Sequence, residues 1–221
     1  MPNYFRDSEV IKSSKYAKSY NKRNEMKKIL ILNGGMKYGE SGGKLNRAFS
    51  EIMADELGKM GKQAQITHIE DGYDDVAELA KWVESDVVIW QIPGWWMGEP
   101  WIVKKYIDEV LHGKKVMGVM FNNDGRSRDD DSKRYGSGGL CAGKAMMLST
   151  TWNAPLYAFN QVGEFFDGRG VDEIFIHIYK IHQFIGFSKF LPSFMANDVH
   201  KKPDFPKWEA DLREHIQEHF S

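Results

Sequence analysis

Apolar runs alternate with amphipathic stretches through the first half of the chain. Residues 28–33 form a short β-branched run without polar alternation, as expected for a strand covered on both faces. The apolar positions that follow recur at helical spacing and stop at Gly61. Residues 65–69 predict a weaker strand, and a second helical pattern follows it. Residues 86–92 are the strongest candidate for a central strand, and Pro100 is placed to open the next helix. This order predicts βαβ units and a parallel sheet.

The second half of the chain predicts less regular structure. Residues 114–121 are a candidate strand, and the polar, glycine-rich residues 122–139 predict a long loop of the kind that is usually functional or disordered. Residues 144–151 predict another buried strand. The apolar stretch 171–185 is too long for one ordinary strand and predicts a buried helix. Residues 187–195 are the candidate for the last strand.

The pattern as a whole predicts one α/β domain over residues 26–221, with a doubly wound, parallel, five-stranded sheet and helices on both faces. Its last element is an amphipathic helix, because apolar residues recur every four positions from Trp208 to Phe220. Residues 1–25 are polar and basic without sustained periodicity. They predict an N-terminal extension outside the core.

Composition narrows the class of protein. Hydrophobic residues make up 42% and charged residues 28% of the chain, and the formal net charge is −1. Such a composition is ordinary for a globular protein. A net charge this close to zero produces no overall electrostatic field that would attract nucleic acid or an anionic membrane. Cys141 is the one cysteine, so we expect no disulfide framework and no cysteine-rich metal site, and a reducing compartment. No other metal site is predicted. No apolar run approaches the ~18 residues of a membrane span, and we predict a cytoplasmic protein.

Because ligands of open parallel sheets bind beyond the carboxyl ends of the strands, the loops at these ends are the candidates for a site. The first loop, residues 33–46, is rich in glycine and opens a helix, where free backbone donors favour an anion. Ser41 and Asn46 could add side-chain donors, so the loop predicts a phosphate site. A plain glycine-rich turn capped by Ser41 is the alternative. An ATPase is rejected because Glu40 stands where a triphosphate loop needs lysine.

Two further loops carry aromatic and polar groups. Residues 93–100 place Trp95 and Trp96 directly after the central strand, bent by Pro93 and by glycines. Packing in a tryptophan-rich core is the common fate of such residues, but two adjacent tryptophans on this turn favour a platform for a planar ligand. Residues 149–155 offer hydroxyls, an amide and another tryptophan. A phosphate site, a ring platform and polar groups for the ring edge together predict a flavin nucleotide site.

Three segments carry a resemblance to a known family. They are W-Q-I-P-G-W-W-M-G-E-P-W at 90–101, Y-G-S-G-G-L at 135–140 and L-S-T-T-W-N-A-P at 148–155. The chain from about Met26 onward closely resembles the bacterial "modulator of drug activity B" quinone reductases and, more distantly, the mammalian DT-diaphorases. The resemblance implies a flavodoxin-like fold, FAD rather than FMN, a homodimer with the flavin near the subunit interface, and two-electron reduction of quinones by NAD(P)H.

The matched motifs also imply which residues bind the flavin. The pyrophosphate side would be held by Ser41, Gly42, Gly43, Lys44, Leu45, Asn46, Arg47 and Ala48. The isoalloxazine would be framed by Gly94, Trp95, Trp96, Met97, Thr151, Trp152, Asn153 and Ala154, with Tyr135 closing over it. Relatives often carry histidine at the position of Glu40, so this chain departs from the family pattern beside the phosphates.

The implied mechanism is a ping-pong cycle in which hydride passes from NAD(P)H to the flavin and then to a quinone in the same place. No side chain is required as a catalytic acid. Tyr135 is a candidate to orient the quinone oxygen, and an aromatic lid residue without chemistry is the alternative for it. Two alternatives share the fold: an FMN-dependent azo- or nitro-reductase, and a flavodoxin-type electron carrier. The pattern formed by His215, Glu218 and His219 has no third ligand nearby and predicts a solvated helix face rather than a zinc site.

Overall fold

The computed structural model describes residues 26–221, and the extension predicted for residues 1–25 lies outside this range. The strands are β1 (Lys28–Asn33), β2 (Lys37–Tyr38), β3 (Ser41–Gly42), β4 (Gln63–His68), β5 (Val87–Pro93), β6 (Ala145–Thr151), β7 (Lys189–Phe190) and β8 (Phe194–Ala196). The helices are α1 (Lys44–Lys59), α2 (Asp75–Glu84), α3 (Trp101–Val110), α4 (Val171–Ile174), α5 (Ile176–Phe184) and α6 (Phe205–Phe220).

The main sheet is parallel and doubly wound, as predicted. Its order is β4–β1–β5–β6, and the fifth position is divided between β7 and β8, which both pair with β6. The chain moves from β1 to one side at β4 and then to the other side at β5, so strand order reverses between β1 and β5. The carboxyl ends of these two strands therefore flank the topological switch point where ligands of such sheets bind.

Helices cover both faces of the sheet, because successive residues of each buried strand point to opposite sides. In β1, Ile29 and Ile31 pack in one core with α1 and α6. Leu30 and Leu32 pack in the other core with α2, α3 and α5. Because an apolar core covers each face of the sheet, the buried strands carry apolar residues at successive positions rather than at alternate ones.

Three predicted elements differ from the structure. Residues 114–121 form turns with isolated bridges rather than a strand, and Gly118 has a φ of 75° in this segment. The predicted helix over 171–185 is divided at Phe175 into α4 and α5. The predicted last strand over 187–195 is replaced by β7 and β8, with Pro192, which lacks an N–H, between them. No helix within residues 26–221 is long and apolar enough to cross a lipid bilayer.

Candidate functional site

The loop after β1 ends in a helix N-terminus with free backbone donors. Gly43 occupies the N-cap position with a φ of 66°, a left-handed conformation that favours glycine. The first intrahelical bond of α1 runs from the Arg47 amide to the Gly43 carbonyl, at 3.3 Å. The amides of Lys44, Leu45 and Asn46 have no acceptor within residues 26–221. No acidic residue lies in this first turn, so the backbone offers a place for an anion.

The two side chains that the sequence predicts as phosphate donors are engaged inside the protein. The Ser41 hydroxyl donates to the Met36 carbonyl at 3.2 Å and accepts from the Gly43 amide at 3.4 Å. Asn46 is buried, and its Oδ1 accepts from Gln91 Nε2 at 2.8 Å and from Thr151 Oγ1 at 3.1 Å. The donors that remain free at this helix N-terminus are thus backbone amides, while these two side chains hold the loop and the helix in place.

A buried polar network fixes α1 against the sheet. It consists of Asn46, Gln91, Ser149 and Thr151, all of them buried. Besides the two bonds to Asn46, the Ser149 hydroxyl donates to Gln91 Oε1 at 2.6 Å. We refer to these four residues as the polar network. Gln91 and Ser149 were not predicted as site residues, although a glutamine in an otherwise apolar strand was a visible signal.

A second polar contact lies beside the same loop at the end of β4. Asn33 Nδ2 donates to His68 Nδ1 at 2.9 Å, while Asn33 Oδ1 accepts from the Gly35 amide. Burial lowers the pKa of His68, and the charge of Arg47 lowers it further, which favours the neutral ring that accepts this bond. Arg47 in turn binds Asp71 at 2.8 Å. The loop after β1 is therefore held by contacts to the ends of both neighbouring strands, β4 and β5.

The turn after β5 holds its two central residues in a strained conformation. The Trp95 and Gly98 backbones exchange hydrogen bonds of 2.8 and 3.0 Å, and between them Trp96 and Met97 have φ values of 46° and 66°. Glycine and asparagine are the usual residues at such positions, and strain of this kind concentrates at functional sites. The side chain of Trp96 is left 96% exposed. This turn, residues 95–98, is called the tryptophan turn below.

A cavity of about 390 Å³ lies beside the tryptophan turn, within the size range of about 300–1,000 Å³ that is usual for small-molecule sites. Most of its wall is apolar or aromatic. The lining residues are Gly94, Trp96, Met97, Trp152, Asn153, Ala154, Pro155, Tyr157, Ala158, Glu164, Phe165 and Phe166. Six of them are predicted flavin-binding residues, which the fold brings together from the loops after β5 and β6.

Trp152 forms the inner wall of this cavity. Its ring is 3% exposed and packs edge-on against Phe159, Phe166 and Phe175. A Cβ at Gly94 would lie 2.3 Å from the ring, so only glycine lets the strand end approach it. Within residues 26–221, Trp152 Nε1 is the buried side-chain nitrogen or oxygen that lacks a hydrogen-bond partner. Buried indole N–H groups usually have one.

The loop after β6 is anchored by its backbone. The Trp152 amide donates to the Ala196 carbonyl at 2.8 Å, and the Val199 amide donates to the Trp152 carbonyl at 3.1 Å. The Asp198 amide binds the Ala154 carbonyl, and Asn153 Oδ1 accepts from the His200 amide at 3.3 Å. The cavity wall is therefore rigid on the side of β6.

The eight residues predicted along the pyrophosphate lie outside the cavity lining, and so do three of the nine predicted around the isoalloxazine. Trp95 packs against Tyr38, with ring centroids 6.0 Å apart. The Thr151 hydroxyl belongs to the polar network. Tyr135 is 70% exposed and lies beside Phe184, with ring centroids 5.5 Å apart, and under the Arg126 guanidinium.

Several cavity residues were not predicted from the sequence. Tyr157 lies in the short 3-10 helix at residues 156–158, and Glu164, Phe165 and Phe166 come from the irregular segment that follows it, where no periodicity marks a site. His177 Nε2 and Glu99 Oε2 are 2.8 Å apart, so this contact ties the residue that follows the tryptophan turn to α5. Burial alone would raise the pKa of Glu99, but the hydrogen bond to His177 and nearby positive charge hold it below its usual range.

Comparison with known proteins agrees with this geometry. A family model described as flavodoxin-like fold matches residues 27–220. The chain belongs to the flavodoxin-like family. The NADPH:quinone oxidoreductase MdaB of Haemophilus influenzae is 45% identical to this flavodoxin-like protein over 195 residues, which are 87% of this chain and 98% of the relative. An uncharacterized protein of Schizosaccharomyces pombe is 42% identical over 87% of this chain and 97% of its own length. The resemblance predicted from the motifs is confirmed.

Solved structures share the fold at low sequence identity. An NADPH-quinone reductase from P. pentosaceus has a TM-score of 0.56 and 12% identity over 86% of this chain and 98% of that chain. An FMN-dependent NADH-azoreductase from Bacillus anthracis has a TM-score of 0.59 and 10% identity over 87% of this chain and 97% of that chain. The predicted flavodoxin-like α/β fold is confirmed.

Proposed function

We propose that this protein is a flavin-dependent NAD(P)H:quinone oxidoreductase. The observation that carries the proposal is the cavity beside the exposed Trp96, at the carboxyl ends of β5 and β6. An open aromatic cavity suits a planar ring and a planar acceptor. The Haemophilus influenzae relative, named an NADPH:quinone oxidoreductase, supports the same activity.

The residues present fit a flavin. The free amides of Lys44, Leu45 and Asn46 suit its phosphate groups. The cavity that Gly94 and Trp152 both line suits the edge of its ring system, and the unpaired Trp152 Nε1 suits an acceptor that the protein itself does not supply. FAD is the form that the family resemblance favours over FMN, with Ser41–Ala48 along the pyrophosphate and the residues of both cavity loops around the ring.

A bound flavin supplies two-electron chemistry between the nicotinamide and the quinone. The protein's own contribution is position and electrostatics. The amides of Trp96 and Met97 have no acceptor within residues 26–221, and they can stabilise negative charge that develops on a ligand at the turn. Tyr135 remains the candidate to orient the quinone, although it lies outside the cavity lining of a single chain.

We propose a homodimer that covers this side of the molecule. Large apolar side chains stay exposed around the cavity, and a second copy would bury them. They are Trp96, Met97, Leu156, Tyr157, Val162 and Phe165. A cytoplasmic location is consistent with the single, buried and free Cys141, whose pKa burial raises to about 11.

The first test is an absorption spectrum of the purified protein, followed by NADPH-driven reduction of menadione. A flavin spectrum, release of FAD on denaturation and rapid quinone turnover are expected. In stopped-flow traces, NADPH should reduce the bound flavin and menadione should reoxidise it. Bound FMN with faster reduction of an azo dye than of menadione would instead identify an azoreductase. A colourless protein that neither FAD nor FMN reconstitutes would overturn the proposal.

A further inference from the structure

Glu164 brings an acidic residue into the lining of the cavity. Among the residues that line it, Asn153 and Glu164 carry the polar side-chain functions other than the Tyr157 hydroxyl and the tryptophan N–H groups, and Glu164 is the acid. No ion pair or hydrogen bond engages its carboxylate within residues 26–221. The charge therefore acts on whatever enters the cavity.

The segment that carries Glu164 is held in place by its own backbone. The Glu164 amide donates to the Gln161 carbonyl at 3.2 Å, and the Asp167 amide donates to the Glu164 carbonyl at 2.8 Å. The next residue but one, Phe166, is buried and stacks on Phe159 with ring centroids 4.6 Å apart. The half-buried Glu164 is thus fixed between two turns and beside a buried aromatic ring, rather than on a free surface loop.

The surroundings do little to neutralise this charge. The nearest cation along the segment, Arg169, binds Asp167 at 3.4 Å and the Phe166 carbonyl at 3.5 Å. The rest of the wall is mainly aromatic and aliphatic. A single-sign charge in a concave site with apolar walls focuses the electrostatic potential and repels ligands of the same sign.

We propose that Glu164 sets the charge preference among electron acceptors, favouring neutral quinones over acceptors that carry a sulfonate or carboxylate group. This inference rests on the proposed function. It treats Glu164 as a residue that determines specificity, because a fixed charge beside the binding place discriminates between acceptors by repulsion as well as by fit.

The test compares menadione with 1,2-naphthoquinone-4-sulfonate as acceptors for the flavin-loaded full-length enzyme. The measured quantity is the ratio of kcat/KM for the anionic acceptor to kcat/KM for menadione. Glu164→Gln should raise this ratio about three- to tenfold at low ionic strength, the size expected for one partly screened charge pair. Glu164→Asp keeps the charge and should leave the ratio near the wild-type value. Added salt should raise the ratio in the wild type more than in Glu164→Gln.

Glu214→Gln is the matched control, since it removes the same charge from an exposed position on α6, outside the cavity lining. It should leave kcat/KM unchanged for both menadione and the anionic acceptor. Flavin content and thermal melting of every variant show that the proteins compared are folded and loaded. An unchanged ratio in Glu164→Gln, with menadione still reduced, overturns this inference alone. Failure of the wild type to reduce menadione overturns the proposed function and this inference with it.

Discussion

The polar network and the tryptophan turn lie at neighbouring strand ends but treat their side chains in opposite ways. In the polar network the side chains of Asn46, Gln91, Ser149 and Thr151 are buried and bonded to one another. At the tryptophan turn the backbone is closed by two hydrogen bonds, while Trp96 is almost fully exposed. The polar network uses buried polar groups to hold α1 against the sheet, whereas the tryptophan turn leaves an aromatic side chain exposed to solvent.

This difference indicates that the polar network contributes mainly to stability and the tryptophan turn mainly to ligand binding. A buried network with satisfied bonds rigidifies the structure around it, and here it fixes the helix whose free amides face the loop. A strained turn with an exposed ring costs folding free energy and persists when it serves a ligand. We therefore expect substitutions in the network to act on stability, and substitutions at the turn to act on flavin binding.

The largest effect is expected where the two regions meet, at Gly94→Ala. The new Cβ would lie 2.3 Å from the Trp152 ring, which is locked among three phenylalanines. Overpacking of this kind should cost about 3 kcal/mol of unfolding free energy and abolish flavin retention. Urea unfolding and the flavin content of the purified protein measure the two effects.

Gly98→Ala is the control for this substitution, because a Cβ at Gly98 meets no atom within 4 Å. It should change the unfolding free energy by less than about 0.5 kcal/mol and leave flavin bound. If Gly94→Ala retains flavin as well as Gly98→Ala does, the close approach of Gly94 to Trp152 is not needed for binding.

The free energy of unfolding should also depend on pH, because of the buried His182. This histidine is fully buried, accepts from Trp90 Nε1 at Nε2 and bonds the Ile178 carbonyl through Nδ1. Burial lowers its pKa from 6.5 to about 4. Because the unfolded chain takes up this proton first, stability should fall as pH drops from about 6.5 and level off below about 4. The full effect is about 3 kcal/mol.

Urea unfolding between pH 4 and pH 7 measures this dependence. His182→Gln removes the titration, so its unfolding free energy should vary less with pH than that of the wild type, whatever its stability at pH 7. Parallel pH profiles for the two proteins would show that His182 titrates at its ordinary pKa in the folded protein.

Gln91→Leu should break the polar network itself. Ser149 would lose its acceptor and Asn46 one of its donors, both in a buried place, at a cost of about 2 kcal/mol. Adding Ser149→Ala removes one of the orphaned partners, so the double variant should be less destabilised than the sum of the single variants. Strict additivity in urea unfolding would mean that the two side chains do not interact in solution.

Much of the fold was predictable because its strands and helices carry strong local patterns. The β-branched run at 28–33 and the apolar residues at 86–92 coincide closely with β1 and β5, and the four-residue spacing from Trp208 gives α6. Prediction failed where the backbone changes direction. Gly118 turns the candidate strand at 114–121, and Pro192 divides the last strand, since local apolar content does not encode such breaks.

The site was predictable in part for a similar reason. Trp96, Met97 and Trp152 follow strong strands directly, so topology alone brings them to one edge of the sheet. The inward turn of Asn46 depends on Gln91 and Thr151, which are 45 and 105 residues away in the chain. Glu164 lies in an irregular segment without periodicity. Contacts of this kind arise only from tertiary packing.

The smallest effect on stability, and the sharpest contrast with the network, is expected at Trp96→Gly. Trp96 has a φ of 46° and an exposed side chain, so glycine relieves backbone strain and loses almost no packing. The unfolding free energy of the flavin-free protein should stay constant or rise by up to about 1 kcal/mol. Loss of the stacking ring should raise the flavin dissociation constant about tenfold, as measured by fluorescence titration.

Met97→Gly relieves a similar strain at a φ of 66° but keeps the Trp96 ring, so it should weaken flavin binding less. Equal losses of affinity in the two variants would assign the binding to the conformation of the turn rather than to the exposed indole.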